Sequence, residues 1–139
     1  SALGLTYAPP ETLFAKSDIV VNLLPYSAAT DNFLNADAFS QMKSGATLVS
    51  VGSGSVIDEN ALANAVESGT LSGVALDTYE YEPIRPSHPL IALAMRGHNI
   101  LLTPHTAAGN NDANVNERAD IYTNIVRHLH GDPLLNRMV

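Results

Sequence analysis

The chain has 139 residues, of which 45% are hydrophobic, and this is enough to form the core of one globular domain. Its net charge of −7 and its singly scattered lysines and arginines exclude a basic surface for nucleic acid, and the absence of cysteine excludes disulfides and thiolate chemistry. No apolar run is long enough to cross a bilayer, so we expect a cytoplasmic protein without membrane or nucleic-acid partners.

Four apolar runs predict the strands of a sheet. They begin at Ile19, Thr47, Gly73 and Ile100, at intervals of 26 to 28 residues. Each run is apolar at successive positions, which is typical of strands that are covered on both faces. Regular intervals with short loops indicate strand–helix–strand crossovers, and these are right-handed. The predicted fold class is therefore α/β, with a parallel sheet flanked by helices.

Two helices are predicted between the strands from the residues at their ends. Asn35 can cap a helix that runs through Met42 and is closed by Gly45. Asp58 can cap a second helix, which is closed by Gly69. The short side-chain acceptors at the starts and the glycines after the ends predict where these helices begin and stop.

A longer helix is predicted near the end of the chain, from about Asp112 to His130. Its apolar stripe should pack against the sheet, and it consists of Val115, Ala119, Tyr122, Val126 and Leu129. The preceding segment 85–97 contains two prolines and predicts an irregular connection.

Polar residues follow each predicted strand, at the edge where open parallel sheets bind ligands. His105 is the main candidate for chemistry there, because an imidazole is the commonest proton donor or acceptor near pH 7 and the preceding Pro104 restricts the backbone. A carboxylate such as Glu82 would orient the ring and raise its pKa. The alternative is a loop histidine that bonds to backbone and has no chemistry. The five histidines show no metal-ligand spacing, so no metal is expected.

Several separated motifs together resemble the D-isomer-specific 2-hydroxyacid dehydrogenases. The resemblance covers nearly the whole chain. The sequence from Asn22 to Pro25 is most similar to that of glyoxylate/hydroxypyruvate reductases. The motifs are Ser17-Asp18-Ile19-Val20, Leu24-Pro25 through Thr30, Met42-Lys43-Ser44-Gly45-Ala46, Val56-Ile57-Asp58-Glu59, Ala75-Leu76-Asp77-Thr78-Tyr79-Glu80-Tyr81-Glu82-Pro83 and Leu102-Thr103-Pro104-His105.

The resemblance implies an oxidoreductase that uses NAD or NADP and transfers hydride between the nicotinamide and C2 of a small 2-hydroxy or 2-keto acid. His105 would be the acid/base that protonates the carbonyl oxygen, and Glu82 would be its partner. Cofactor contacts would come from the remaining matching positions. Asp77 would face the nicotinamide end, Pro25 and Thr30 would lie along the adenosine and ribose, and Gly52 and Gly54 would let the backbone approach the ligand.

One departure from the family concerns the substrate. Ser53 stands where the family has an arginine that grips the substrate carboxylate, and a serine hydroxyl offers neither charge nor a bidentate fork. Losing such a contact costs about 3 kcal/mol of transition-state stabilisation, so activity on 2-keto acids should be poor. Arg85 is either a substitute cation or a solvated loop residue. The alternative is a weak or inactive protein that binds a dinucleotide as a sensor or interaction partner.

A second departure is that no Gly-x-Gly-x-x-Gly fingerprint follows a strand. We therefore expect residues 1–139 to be the C-terminal portion of a dinucleotide-binding domain that lacks its first βαβ unit, a fragment of a longer enzyme that alone is inactive and binds cofactor weakly. The strand at Ile19 to Leu24 would then have a bare edge. We expect a second copy, in a homodimer, or a terminal segment such as Leu3 to Ala8 to cover that edge.

Two other enzyme classes are less consistent with these residues. A serine hydrolase could use Ser53, Ser55 and His105, but neither serine lies in a Gly-x-Ser-x-Gly elbow. A methyltransferase could share the predicted sheet, but it would leave the pair of Glu82 and His105 unexplained. Fold alone does not separate such enzymes, so the pair is the feature that favours a dehydrogenase.

Overall fold

The computed structural model describes residues 4–107 and 111–135, and in the second range it describes side chains from residue 119 onward. The chain divides into two compact units, Ser1–His105 and Thr106–Val139. The first unit contains the sheet and the second contains the last helix.

The first unit is built on four parallel strands, and this confirms the predicted fold class. They are β1 (Ile19–Asn22), β2 (Ala46–Ser50), β3 (Leu71–Leu76) and β4 (Ile100–Leu102), and they lie side by side in chain order. Val21, Val49, Ala75 and Leu101 are aligned across the sheet. Because neighbouring strands are parallel, their carboxyl ends meet at one edge of the sheet.

Two of the helices between strands begin where the sequence predicts. They are α2 (Ala36–Gln41) and α3 (Glu59–Glu67). The Asn35 side chain accepts hydrogen bonds from the backbone N–H groups of residues 37 and 38, and Asp58 accepts from those of residues 60 and 61. These bonds satisfy N–H groups that have no partner within the helix, and both predicted caps are confirmed.

Two short helices begin at prolines and were not predicted. Helix α1 (Pro10–Lys16) precedes β1, and α4 (Pro89–Met95) lies within the segment for which an irregular connection was expected, so that expectation was wrong. Proline is well suited to the first turn of a helix, since its fixed φ is helical and its missing N–H would have no partner there. The His88 side chain caps α4 by accepting from the N–H of Leu90 at 3.3 Å.

The core of the first unit lies where these four helices pack on one another and on the sheet. Buried strand residues such as Val20, Leu48 and Val74 contribute to it, together with Phe39 and Leu62 from the helices. Burial of these apolar side chains is the main source of stability in the unit.

The burial predicted on both faces of the strands is not found at every position. Ile19, Val21 and Leu101 are more than half exposed. Leu5 and Tyr7 are also exposed. Coverage of the β1 edge, by a second copy or by the terminal segment, stays a prediction.

The second unit contains helix α5 (Asn111–His130). The packing of its apolar stripe against the sheet stays a prediction, and the Val115 side chain lies outside the described residues. Gly131 follows the helix in the left-handed region, with φ +75°, as expected of a residue that ends a helix. None of the helices in the described part of the chain combines the length and hydropathy needed to span a membrane.

The cap of α3 can be tested by substitution. We expect Asp58→Ala to lower the free energy of unfolding by about 1 kcal/mol, because two backbone N–H groups lose their acceptor. Asp58→Asn keeps an acceptor at the same place and should stay close to the wild type. Urea unfolding followed by circular dichroism measures both, and an equal loss in the two variants would show that charge, and not capping, is what matters.

Candidate active site

His105 and Glu82 form a hydrogen-bonded pair beyond the carboxyl ends of β3 and β4. Nδ1 of His105 lies 2.8 Å from Oε2 of Glu82. An ionised carboxylate only accepts hydrogen bonds, so Nδ1 carries the proton in this contact and Nε2 is the nitrogen left to exchange a proton with a ligand. The proximity predicted for these two residues is present, and their catalytic role stays a prediction.

The backbone around His105 is fixed by bonds to the neighbouring strand exit. The N–H of Thr103 donates to the carbonyl of Leu76 at 3.0 Å, and the N–H of His105 donates to the carbonyl of Asp77 at 2.9 Å. His105 has φ +55°, a left-handed conformation that is uncommon for residues other than glycine. Such strain persists only where the surrounding structure determines it, and here the bond to Asp77 contributes to that.

Asp77 is buried at the exit of β3, directly beside the pair. Its Oδ1 accepts a hydrogen bond from the Thr103 hydroxyl at 2.6 Å, and its N–H donates to the carbonyl of Ser50 at 3.0 Å. Asp77 is 4% exposed. It therefore links the exits of β2, β3 and β4, and its predicted contact with a nicotinamide stays a prediction.

Glu82 is held by Tyr79, a residue for which no separate role is predicted from the sequence. The backbone N–H of Tyr79 donates to Oε1 of Glu82 at 3.1 Å, and its phenol O–H donates to the carbonyl of Thr103 at 2.9 Å. A tyrosine three residues before a candidate acid, inside the motif at a strand exit, was the available signal.

Contacts within the pair move both pKa values in opposite directions. The hydrogen bond from His105, followed by that from the Tyr79 N–H, lowers the pKa of Glu82 below its ordinary 4.5. The hydrogen bond to Glu82, followed by its negative charge, raises the pKa of His105 above its ordinary 6.5. Each partner therefore favours the charged form of the other, an ionised Glu82 and an imidazolium.

Gly52 and Gly54 allow close packing between strand exits. A Cβ on Gly54 would lie 2.0 Å from the carbonyl carbon of Tyr79, and one on Gly52 would lie 2.6 Å from the carbonyl oxygen of Leu24. The Thr78 hydroxyl also donates to the carbonyl of Gly52. The close approach at these glycines is to the protein's own backbone, and approach to a cofactor stays a prediction.

Ser53 lies at the exit of β2, where its N–H donates to the carbonyl of Leu24 at 2.9 Å. Its hydroxyl does not cap the 3₁₀ turn of Gly54–Val56 that follows, and it is not among the residues that line the cavity at His105. The structure thus leaves the substrate role predicted for this position untested.

Pro25 and Thr30 form the turn that follows β1. The Thr30 hydroxyl donates to the carbonyl of Pro25 at 2.7 Å and accepts from the N–H of Ser27 at 2.8 Å. These bonds give Thr30 a structural role in the turn. Contact with the adenosine part of a cofactor stays a prediction for both residues.

A cavity of about 380 Å³ opens beside the pair. Its lining consists of Tyr79, Glu82, Pro83, Ile84, Pro104 and His105. Such a volume suits a small organic acid or one end of a larger ligand.

Arg85 lines a different cavity, together with Glu59 and His88. Nε2 of His88 lies 2.8 Å from Oε2 of Glu59, and Nδ1 of His88 accepts the N–H of Leu90. Both ring nitrogens of His88 are therefore occupied in holding the structure. Nothing in this arrangement favours Arg85 as the substitute cation for the site at His105.

The described residues contain no group of three or more His, Cys, Asp or Glu side chains that could hold a metal ion. At the strand exits, a histidine oriented by a carboxylate lies beside a small cavity, and such an arrangement can exchange a proton with a ligand.

The pKa shifts predict how the pair responds to pH. The contribution of His105 to stability is complete below pH 6.5 and is lost as pH rises through its raised pKa, while that of Glu82 is complete above pH 4.5 and is lost as pH falls through its lowered pKa. We expect NMR titration of the imidazole to give a pKa above 6.5 that falls in Glu82→Gln. An unchanged pKa in Glu82→Gln would contradict the pairing.

Comparison with known proteins agrees with the fold and with the motifs. The family described as D-isomer specific 2-hydroxyacid dehydrogenase, NAD binding domain, matches residues 1–107. Glyoxylate/hydroxypyruvate reductase B of Cronobacter sakazakii is 33% identical over 126 residues, which are 91% of this chain and 38% of that protein. D-3-phosphoglycerate dehydrogenase of Archaeoglobus fulgidus is 34% identical over 134 residues, which are 96% of this chain and 25% of that protein.

A solved structure leads to the same family. The D-isomer specific 2-hydroxyacid dehydrogenase of Xanthobacter autotrophicus Py2, in complex with NADPH and MES, is 34% identical and matches with a TM-score of 0.80 over 93% of this chain and 51% of that one. The chain thus spans about a quarter to a half of the length of these proteins. On this evidence, the chain belongs to the family of D-isomer specific 2-hydroxyacid dehydrogenase NAD-binding domains.

Proposed function

We propose that the chain forms the proton-transfer end of an NAD(P)-dependent oxidoreductase that interconverts small 2-hydroxy and 2-keto acids. The hydrogen bond of 2.8 Å between His105 and Glu82 is the observation that carries this proposal. A histidine that is oriented at Nδ1 has its Nε2 available for proton exchange, and this is the group that reduction of a carbonyl requires. The family match and the dehydrogenases among its relatives support the reaction class.

The proton step follows from this geometry. In reduction, the imidazolium of His105 donates its Nε2 proton to the carbonyl oxygen of the 2-keto acid, and Glu82 stabilises the charge while the ring holds it. In oxidation, the neutral ring accepts the hydroxyl proton of the 2-hydroxy acid. A bound NAD or NADP would supply the hydride chemistry at C2 that complements this proton transfer, and the residues at the strand exits would hold it.

The groups at the carboxyl ends of the strands are suited to binding a dinucleotide. Polar groups and closely packed backbone lie together at the carboxyl edge of a parallel sheet, which is where such folds bind nucleotides. Residues for this role are those that the resemblance implies, namely Pro25, Thr30, Gly52, Gly54 and Asp77. The related structure from Xanthobacter autotrophicus is a complex with NADPH, and the family is described as NAD-binding, so we propose NAD or NADP as the cofactor.

The place of this chain in the protein is also part of the proposal. We infer that residues 1–139 are the C-terminal portion of a dinucleotide-binding domain within a longer enzyme. Support comes from the match to an NAD-binding domain and from the small share of its relatives that the chain spans. Enzymatic tests therefore belong on the longest form of the protein that contains this chain. Its homodimeric state and cytoplasmic location stay predictions.

The role of His105 can be tested by replacement with asparagine, which tolerates a positive φ better than most residues. We expect His105→Asn to lower kcat for reduction of a 2-keto acid by about 100-fold to 10,000-fold, because the proton donor is lost. His98→Asn, at another loop histidine, serves as the control and should retain activity. Full activity in His105→Asn would refute the proposed mechanism.

The pH dependence of the two reaction directions gives a separate test. We expect the rate of keto-acid reduction to fall as pH rises through the raised pKa of His105, because reduction needs the imidazolium. The rate of hydroxy-acid oxidation should rise over the same interval, because oxidation needs the neutral ring. Steady-state kinetics in both directions measures this, and parallel profiles in the two directions would be inconsistent with His105 as the exchanging group.

The second candidate function follows from Ser53. No lysine or arginine lines the cavity at His105, so the described residues there offer no side chain with a permanent positive charge for a substrate carboxylate. This favours a protein that binds a dinucleotide but reduces keto acids poorly, and that acts as a sensor or an interaction partner. Binding without turnover is the property that separates the two candidates.

Introducing the missing cation discriminates between them. If the site is catalytic, Ser53→Arg should raise kcat/KM for a 2-keto acid by about 100-fold or more, because a guanidinium binds and polarises the substrate. Ser55→Arg adds the same charge two residues away and should give little gain. If Ser53→Arg brings no gain while calorimetry still detects dinucleotide binding, the sensor is the better description.

A further inference from the structure

Tyr79 contacts both of the segments that carry the acid/base pair. Its backbone N–H donates to Oε1 of Glu82, and its phenol O–H donates to the carbonyl of Thr103, two residues before His105. The side chain is buried, and its ring lines the cavity at His105. One residue therefore connects the loop of the acid with the strand exit of the base.

The pair itself is too exposed to fix its own geometry. The side chains of His105 and Glu82 are 58% and 37% exposed. Exposed ion pairs contribute little to stability, because solvent screens their attraction and holding two side chains in one geometry costs entropy. The distance between them must therefore be set by the backbone that carries each residue.

Gly54 determines where the backbone of Tyr79 lies. A Cβ on Gly54 would come within 2.0 Å of the carbonyl carbon of Tyr79, 2.2 Å of its oxygen and 2.6 Å of the nitrogen of Glu80. All three are backbone atoms, so they cannot rotate away as a flexible side chain would. The loop before Glu82 thus rests directly on Gly54 and leaves no space for a methyl group.

The Tyr79 hydroxyl remains a hydrogen-bond donor at neutral pH. Burial raises the pKa of Tyr79 above its ordinary 10.0, and the nearby charges of Asp77, Glu59 and Glu82 raise it further. A protonated phenol keeps its bond to the carbonyl of Thr103 across the range in which His105 and Glu82 are both ionised.

We propose that Tyr79, whose backbone packs against Gly54, is a positioning residue that keeps Glu82 and His105 within hydrogen-bond distance. This deepens the proposed function and rests on it for the meaning of the pair. The proposal also gives Gly54 a role in packing the loop that carries Tyr79 and Glu82, and this role is separate from any contact with a cofactor.

The test removes only the hydroxyl. We expect Tyr79→Phe to lower the pKa of His105, measured by NMR titration of the imidazole, by about half of the fall seen in Glu82→Gln, because a released strand exit weakens the contact on which the raised pKa depends. Tyr81→Phe is the matched control, since it removes the same hydroxyl from an exposed tyrosine in the same loop. It should leave the pKa of His105 unchanged.

A second variant tests the packing of the Tyr79 backbone against Gly54. Gly54→Ala should also lower the pKa of His105, because the new methyl group displaces the backbone of Tyr79. Gly45→Ala is its control: that glycine has φ +79° with open space around it, so the substitution strains the backbone far from the pair. We expect Gly45→Ala to lower the melting temperature without changing the pKa of His105.

The outcomes separate this inference from the proposed function. If Glu82→Gln lowers the pKa of His105 but the folded Tyr79→Phe and Gly54→Ala leave it unchanged, the positioning role is overturned and the pair stands. If one of these two variants does not fold, the other decides. If Glu82→Gln has no effect, the pair itself fails, and both the inference and the proposed mechanism fall with it.

Discussion

The candidate site depends on backbone pairing that continues past the last residues of β3 and β4. The N–H groups of Thr103 and His105 donate to the carbonyls of Leu76 and Asp77, so the two chain segments stay in register after the strands end. This backbone pairing places His105 beside the exit of β3, and the bond to the carbonyl of Asp77 accompanies its strained φ. The bonds of Tyr79 to Thr103 and Glu82 then bring the acid to the same place.

Hydrogen bonds between buried polar groups also connect the ends of β1, β2 and β3 along this edge of the sheet. Asn22 at the end of β1 donates from its amide to the Ser50 hydroxyl at the end of β2, and Ser50 in turn accepts the N–H of Asp77 on its carbonyl. No side-chain polar atom that is buried in the described residues lacks a hydrogen-bond partner. Polar groups cost stability in a core unless they are paired, so their pairing here aligns the three strand exits at little net cost.

Sequence reasoning was strongest where a feature is encoded locally. The caps at Asn35 and Asp58 depend on side chains that bond to N–H groups two and three residues away, and such contacts are visible in a short window. Features that depend on segments distant in the sequence could not be predicted in this way. The conformation of His105 is set by a carbonyl 28 residues earlier, and the need for glycine at 54 is set by the backbone of Tyr79. Helix α4 is hard to predict because a proline can either interrupt a helix or begin one, and Pro89 begins this helix.

The exposure of the pair bears on how the site could work. In water the attraction between Glu82 and an imidazolium is weak, and it strengthens as the local dielectric falls. Pro83, Ile84 and Pro104 give the cavity an apolar wall, so a ligand that fills it would displace water from the ring. Glu82 would then hold the imidazolium more strongly in the complex than in the free protein. An acid/base pair that is solvated before binding and desolvated by its ligand has its greatest effect when the substrate is present.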